Sequence, residues 1–353
     1  MPATVYPGQP RWFSRHPTVA LSTAVLLGCV VLIMLAEVSM RALLPQWAPE
    51  REERTKFWTY DDLLGWAQRP NQRGRFNHRD FSVEVAVNSA GLRAREYSVA
   101  RTGKKRMLVL GDSFAWGFGV EQRDRFSEVL EAAHPEWEII NAAVSGYGTD
   151  QEFLYLRERG IAVKPDVVLL LFCWNDFDNN IHSDQYWYFK PMFTVDDGQL
   201  VLHNVPVPKA VLRQRFERWF VGTTYLGWRV HIAKEAVLAR MRSDGSGNPD
   251  DERRMVAVTG QLISSMNDVC KQNGARFVMV STPMDERMRT RLLEVADSQG
   301  IPYLPLDAPF DSTATPITFP HDRHWSAAGH KVAARAIDTF LFKAAVFVHQ
   351  EAR

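Results

Sequence analysis

From residue 105 onward the chain alternates short apolar runs with stretches of helical spacing, and the first run, Met107-Leu108-Val109-Leu110, stops abruptly at Gly111-Asp112-Ser113. Four consecutive apolar residues closed by a glycine read as a strand buried on both faces. The pattern predicts strands over 106–110, 136–140, 166–172, 276–280 and 302–306. It predicts helices around 124–134, 149–160, 253–272, 285–298 and 326–347. Strands separated by helices require right-handed crossovers, and hence a five-stranded parallel sheet covered on both faces. In such α/β sheets ligands bind at the carboxyl ends of the strands. Three of those ends run into polar residues: Ser113 after the first, Asn141 and Ser145-Gly146-Tyr147-Gly148 after the second, Trp174-Asn175-Asp176 after the third.

The alternation lapses between 178 and 250. Residues 178–208 are rich in aromatics and carry Asp196-Asp197-Gly198, a hairpin turn between Met192-Phe193-Thr194-Val195 and Leu200-Val201-Leu202. Residues 210–241 have helical spacing (Val211, Phe216, Trp219, Phe220), which Gly222 and Gly227 divide into two helices or bend, and 244–251 read as a loop. We read the whole as an insertion near an active-site mouth. Upstream, 45–104 form a connector and a small accessory β region, in which Phe81, Val83, Val85 and Val87 alternate as in a strand. Asn88-Ser89-Ala90-Gly91 then reads as a turn rather than a substrate contact.

The N-terminus differs from everything after it. No charge interrupts Val19 to Ala36, and those 18 residues would reach about 27 Å as a helix, close to the hydrocarbon thickness of a bilayer. A cleaved signal peptide is the rival reading. The length of the run, and the lack of a small-x-small site after it, favour an uncleaved single-pass anchor over 18–44. Arg11 and Arg15 place residues 1–17 in the cytoplasm and everything after Arg41 outside.

Bulk properties narrow the chemistry. A net charge of +1 over 353 residues gives no electrostatic case for nucleic acid. Cys29, Cys173 and Cys270 are too few and too scattered for a disulfide framework or a metal pattern, so they are expected as buried free thiols. His321, His324 and His330 come without a zinc signature, and no metal or cofactor is expected. Gly117-Phe118-Gly119 lacks the third glycine of a dinucleotide loop, and no Gly-x-Ser-x-Gly marks an ordinary α/β-hydrolase.

Gly111-Asp112-Ser113, Gly146, Asn175-Asp176 and the pair Asp322/His324 occur in the order of the conserved blocks of the SGNH hydrolases, the GDSL-type esterase and lipase superfamily, which the chain resembles over roughly 105–345. The resemblance implies a flavodoxin-like three-layer fold over 105–347. It also implies Ser113 as nucleophile, His324 as base, Asp322 as the residue orienting it, and an oxyanion hole of the Ser113 and Gly146 backbone N–H groups with the Asn175 side chain. A serine needs such a base to become a nucleophile, and a neutral imidazole can serve near pH 7. Two positions depart from the family pattern. Cys173 stands where many members have glycine, and Asp322 lies two residues before His324, a spacing that with Trp325 is similar to the Asp-x-His-Trp motif of alginate O-acetyltransferase-like relatives.

Every one of these blocks has an aromatic neighbour: Trp116, Tyr147, Trp174 and Trp325. They are expected to offer flat ring faces to a sugar. The expected activity is therefore that of an extracytoplasmic serine esterase removing O-acetyl or other short acyl groups from a carbohydrate. Its alternatives are an O-acetyltransferase to an envelope polysaccharide, a lipase or lysophospholipase, and a non-catalytic glycan-binding subunit.

Overall fold

The computed structural model describes residues 16–44, 53–241 and 249–343. In chain order it contains helix α1 (Pro17–Leu43), then hairpins β1–β2 (Trp58–Asp61, Gly65–Gln68) and β3–β4 (Arg73–Asn77, Ser82–Ala86). Strand β5 (Lys105–Gly111), the single-turn helix α2 (Ser113–Trp116), α3 (Phe126–Ala133), β6 (Trp137–Asn141), α4 (Thr149–Glu158), β7 (Val167–Phe172) and α5 (Asp176–Asn179) follow. The insertion supplies hairpins β8–β9 (Asp184–Gln185, Tyr188–Phe189) and β10–β11 (Met192–Asp196, Gln199–His203) and helices α6 (Leu212–Thr223) and α7 (Tyr225–Met241). Helix α8 (Pro249–Gln272), β12 (Arg276–Ser281), α9 (Glu286–Gln299), β13 (Tyr303–Pro305), α10 (Asp307–Asp311) and α11 (Ala327–Asp338) complete the chain.

Two compact units result, Met1–Arg51 with Phe216–Ser243, and Glu52–Arg215 with Asp244–Arg353. In the first, α1 is 27 residues long with none of them buried by protein, which is length enough to cross a bilayer. Cys29 lies on this surface and is exposed, contrary to the expectation of a buried thiol, because nothing packs around it; Cys173 and Cys270 are buried. Arg11 and Arg15 lie outside the described residues.

In the second unit the five main strands are all parallel, in the order β13-β12-β7-β5-β6. Numbered along the chain this is 2-1-3-4-5, the flavodoxin-like order, whose topological switch lies between β5 and β7. Alternate residues of the strands feed two cores. Leu108, Leu110, Val168, Leu170 and Phe172 pack on one face with α4, α8 and α9 residues and the β1–β2 tryptophans Trp58 and Trp66. Met107, Val109, Leu169 and Leu171 pack on the other with residues of α2, α3 and α11 and the β3–β4 side chains Phe76, Val83 and Val85. The period of two sends successive side chains to opposite faces, which makes the three layers.

The accessory region holds two hairpins where the sequence predicts a single strand; each is a separate two-stranded sheet. Helix α8 begins at Pro249, inside the predicted loop, where proline suits the first turn and Asp250, Asp251 and Glu252 face the positive end of the helix dipole. The break between α6 and α7 falls at Thr224 and not at either glycine. The last helix is regular to Asp338 and ends in a wider π-type turn, Thr339–Lys343; positions 344–347 of the predicted helix lie outside the described residues.

One buried cation ties the segment ahead of β5 to the sheet. The Arg106 guanidinium pairs with Glu138 at 2.7 Å and donates to the carbonyls of Ser98, Val99, Ala100 and Val163. Arg106→Met, which leaves Glu138 only the longer pair with Arg95 and strands those carbonyls, is expected to destabilise the chain by about 3–5 kcal/mol in denaturant unfolding in detergent. Arg101→Met, which removes an exposed pair with Asp166, should cost under about 1 kcal/mol.

Candidate active site

The position of Ser113 is set by a turn too tight for any side chain at Gly111. A Cβ there would lie 2.6 Å from that of Ala115 and 3.1 Å from the Leu171 carbonyl oxygen. Asp112 then caps α2, its carboxylate accepting the Phe114 N–H at 2.9 Å. The cap is therefore the aspartate, and Ser113 Oγ is left for other work. It lies 2.8 Å from His324 Nε2 and 3.2 Å from Asp112 Oδ2. Burial pushes the Asp112 carboxyl above its ordinary range, against the pull of the Phe114 N–H and the nearby imidazole.

His324 projects from a closed turn. Thr318 and Trp325 form a bridge, and the Phe319 N–H donates to the His324 carbonyl at 3.2 Å. The two-residue spacing of Asp322 works because Oδ1 accepts twice, from the His324 N–H at 2.7 Å and from Nδ1 at 2.5 Å. A carboxylate can only accept, so Nδ1 carries the proton and Nε2 is left as acceptor for the serine hydroxyl. Partial burial alone would raise the Asp322 carboxyl; the hydrogen bonds and charge of His324 outweigh it and hold the group below its ordinary value. The ring is flanked by Phe118, stacked at 4.0 Å between centroids, and by Phe114 at 4.9 Å.

A second aspartate–histidine pair lies beside the first. Asp80, buried in the turn of the β3–β4 hairpin, accepts from His321 Nδ1 at 2.6 Å and from the His321 backbone N–H at 2.9 Å. Phe81 of the same turn packs on Phe319. The accessory hairpin thus grips the turn that carries Asp322 and His324. Nothing local in the sequence marked Asp80; the one signal was the additional histidine at 321.

Gly146 and Asn175 come from neighbouring strand ends. Gly146, after β6, has φ +85°, and a Cβ there would meet the Tyr186 ring at 2.8 Å. Asn175, after β7, does not cap α5 with its side chain, and its Oδ1 is buried without a partner. Leaving such an acceptor unpaired costs about 1–3 kcal/mol, and only a donor, such as a ligand hydroxyl, can complete its bonding. Because β7, β5 and β6 are adjacent, Asn175, Ser113 and Gly146 emerge side by side at their carboxyl ends. Cys173 is buried behind them, its N–H donating to Asp176 Oδ2 at 3.1 Å. Burial and the Asp112 charge raise the Asp176 carboxyl well above its ordinary value.

The expected aromatic platform is corrected at three of its four positions. Trp116, Tyr147 and Trp325 are core residues. Trp116 donates to Gln68 Oε1 at 2.7 Å, Tyr147 to the Trp66 carbonyl at 2.6 Å, and Trp325 packs on Phe114 and Phe310. Trp174 alone is exposed, at 51%. The ring over Gly146 is instead Tyr186, at the β8–β9 turn, where Tyr186 and Trp187 both hold positive φ. This backbone is unfavourable for large side chains, and such strain concentrates at functional sites. The Arg54 guanidinium lies 4.1 Å from the Tyr186 ring and donates to Ser145 Oγ at 3.1 Å. Arg54 was not singled out from the sequence; Tyr186 stood out there only as part of the aromatic run Tyr186-Trp187-Tyr188-Phe189 of the insertion.

The three histidines weighed as a metal set are separated in function: His321 binds Asp80, His324 joins Ser113 to Asp322, and His330 is a core residue whose Nδ1 accepts the Phe126 N–H at 3.4 Å. Burial, then the charges of Arg125, Arg93 and His324, push the His330 imidazole down to about 3 from its ordinary 6.5.

Ser113→Ala is expected to lower turnover of an activated ester on the order of 10⁴–10⁶-fold and to abolish labelling by a serine-directed phosphonate, with unfolding unchanged. His324→Ala should match it in rate, and Asn175→Ala should lose about 10²–10³-fold. A separate outcome concerns His330. Between pH 6.5 and about 3 the unfolded chain binds a proton that the folded core refuses, so stability falls as pH drops through that window. The loss should be about 1.4 kcal/mol per pH unit at its steepest, and His330→Gln should flatten that slope in denaturation measured at each pH.

Residues 109–332, more than half of the chain, match the model of the GDSL-like Lipase/Acylhydrolase family. No curated protein sequence matches the chain. Similar solved structures include TesA, 12% identical over 67% of this chain and 98% of that one with a TM-score of 0.41. The psychrotrophic esterase EstA from Pseudoalteromonas sp. is 12% identical over 68% and 98%, with a TM-score of 0.41. A catalytic mutant of Axe2, an acetylxylan esterase from Geobacillus stearothermophilus, is 15% identical over 69% and 97%, with a TM-score of 0.39. On the family match, the chain belongs to the GDSL-like lipase/acylhydrolase family.

Proposed function

We propose that the protein is a membrane-anchored, extracytoplasmic serine esterase that removes short acyl groups from a carbohydrate through an acyl-enzyme on Ser113. The observation that carries the reading is the unbroken hydrogen-bonded chain Ser113–His324–Asp322 at the topological switch of the sheet. Ser113 Oγ attacks the ester carbonyl carbon while its proton passes to His324 Nε2. The imidazolium so formed is stabilised by the Asp322 carboxylate. The oxyanion accepts from the Ser113 and Gly146 N–H groups and from the Asn175 amide, each donor worth about 2.7–4 kcal/mol of barrier. Collapse breaks the bond to the alcohol oxygen, which takes the proton from His324. A water, deprotonated by the same Nε2, then releases the acid and restores the serine.

Substrate preference rests on the rings that do face outward near these groups. Exposed Trp174 adjoins Asn175, and half-buried Tyr186 covers Gly146. Flat ring faces suit sugar C–H groups, whereas a long acyl chain calls for an aliphatic channel. Helix α1, read as an uncleaved anchor with Arg11 and Arg15 on the cytoplasmic side, would hold the site outside the membrane.

Rates on acetyl through dodecanoyl esters of a sugar and of a simple alcohol test the reading. Acetyl sugar esters should be favoured over dodecanoyl esters by about tenfold or more. A rate rising steadily with chain length would make the protein a lipase.

A further inference from the structure

Helix α6 presents an apolar stripe to the outside. Leu212, Phe216 and Trp219, spaced by four and three, lie on one face and are 80%, 57% and 56% exposed, while Gln214 and Val221 on the opposite face are buried. Arg213 and Arg215 flank the stripe on its two sides. Phe216 packs on Trp219 and Phe220 with centroids 5.7 Å apart, so the rings form one ledge. An amphipathic helix with Leu, Phe and Trp on one face and arginines at its border has the composition of an element that lies in a membrane interface.

The attachment of this helix says which surface it meets. The Thr223 carbonyl at its end accepts from Arg41 Nη2 at 2.8 Å. At the start of α7, the N–H groups of Tyr225 and Leu226 donate to the Glu37 carboxylate at 3.0 and 3.1 Å, and the Arg41 guanidinium lies over the Tyr225 ring. Glu37 and Arg41 are one turn apart on α1 and bond each other as well. Glu37 is also the first charged residue after the uncharged run Val19–Ala36. The α6–α7 elbow is therefore fixed to α1 where its apolar length runs out, which is headgroup depth if α1 crosses a bilayer.

We propose that α6 is a second membrane-contact element, lying in the headgroup–acyl boundary of the bilayer that α1 crosses, with Leu212, Phe216 and Trp219 immersed and Arg213 and Arg215 at the lipid phosphates. The occupant of the apolar stripe is lipid. This inference rests on reading α1 as an anchor.

The test is depth-dependent quenching of the full-length chain in vesicles of phosphatidylcholine and phosphatidylglycerol. Cys29 is the exposed thiol, Cys173 and Cys270 being buried, so a fluorophore on Cys29 reports α1. In a Cys29→Ser background, Trp219→Cys reports α6 and Val99→Cys, at an exposed position of the catalytic unit, serves as the control. The Cys29 label should be quenched most by lipids brominated near the chain ends, the 219 label several-fold more by bromines next to the headgroup, and the 99 label by neither. Phe216→Glu should lower quenching at 219 several-fold. Quenching at 219 no greater than at 99, or greatest with chain-end bromines, overturns the inference while quenching at 29 leaves the anchor reading standing. An unquenched Cys29 label overturns the anchor reading, and quenching at 219 in that case would show α6 binding lipid without it.

Discussion

The 2.8 Å contact between Ser113 Oγ and His324 Nε2 joins residues 211 positions apart, and most of what surrounds it exists to bring those two atoms together. On one side is a buried parallel sheet whose first strand, β5, must end at a glycine, because only a bare Cα fits between Ala115 and Leu171. On the other is a short closed turn that has no regular structure of its own. That turn is held by the Thr318–Trp325 bridge, by Trp325 in the core, and by Asp80 and Phe81 of the accessory hairpin. A side chain on a loop is as precisely placed as the contacts that fix the loop. The small hairpin is therefore part of the scaffold that sets the Ser113–His324 contact, although it shares no strand pairing with the main sheet.

The sheet was legible because parallel strands buried on both faces leave uninterrupted apolar runs such as Val167 to Phe172. Of the accessory hairpins only β4 was, through the alternation from Phe81 to Val87, since Arg73–Asn77 and Trp58–Asp61 are short, mixed and partly exposed. Ser113 and His324 could be placed by motif, but their contact depends on a tertiary closure that no spacing encodes. The Asp322 spacing became intelligible only with the turn in view. One carboxylate oxygen meets both the backbone and the ring of His324, which requires just two residues of separation.

The aromatic reading failed for a simple geometric reason. Nearness in sequence to a site residue says nothing about facing, and in extended segments adjacent side chains point to opposite sides. Trp325, in the bridge next to His324, turns inward for that reason, Tyr147 enters the core after the turn at Gly146, and Trp116 lies on the core side of its short helix. The ring that covers Gly146 comes from Tyr186, forty residues further on, held in a backbone conformation that large residues seldom adopt. Positive φ is invisible in a sequence unless glycine or asparagine announces it, and here neither does.

The central claim is that Ser113 carries the acyl group between two half-reactions. Rapid acid quench of the full-length enzyme during turnover of an acetyl ester, followed by peptide mapping, measures this directly. The account predicts the mass of one acetyl group on the peptide containing Ser113, and its disappearance once substrate is exhausted. Full turnover with that peptide unmodified at every quench time, and with acetyl found on another residue, would contradict it.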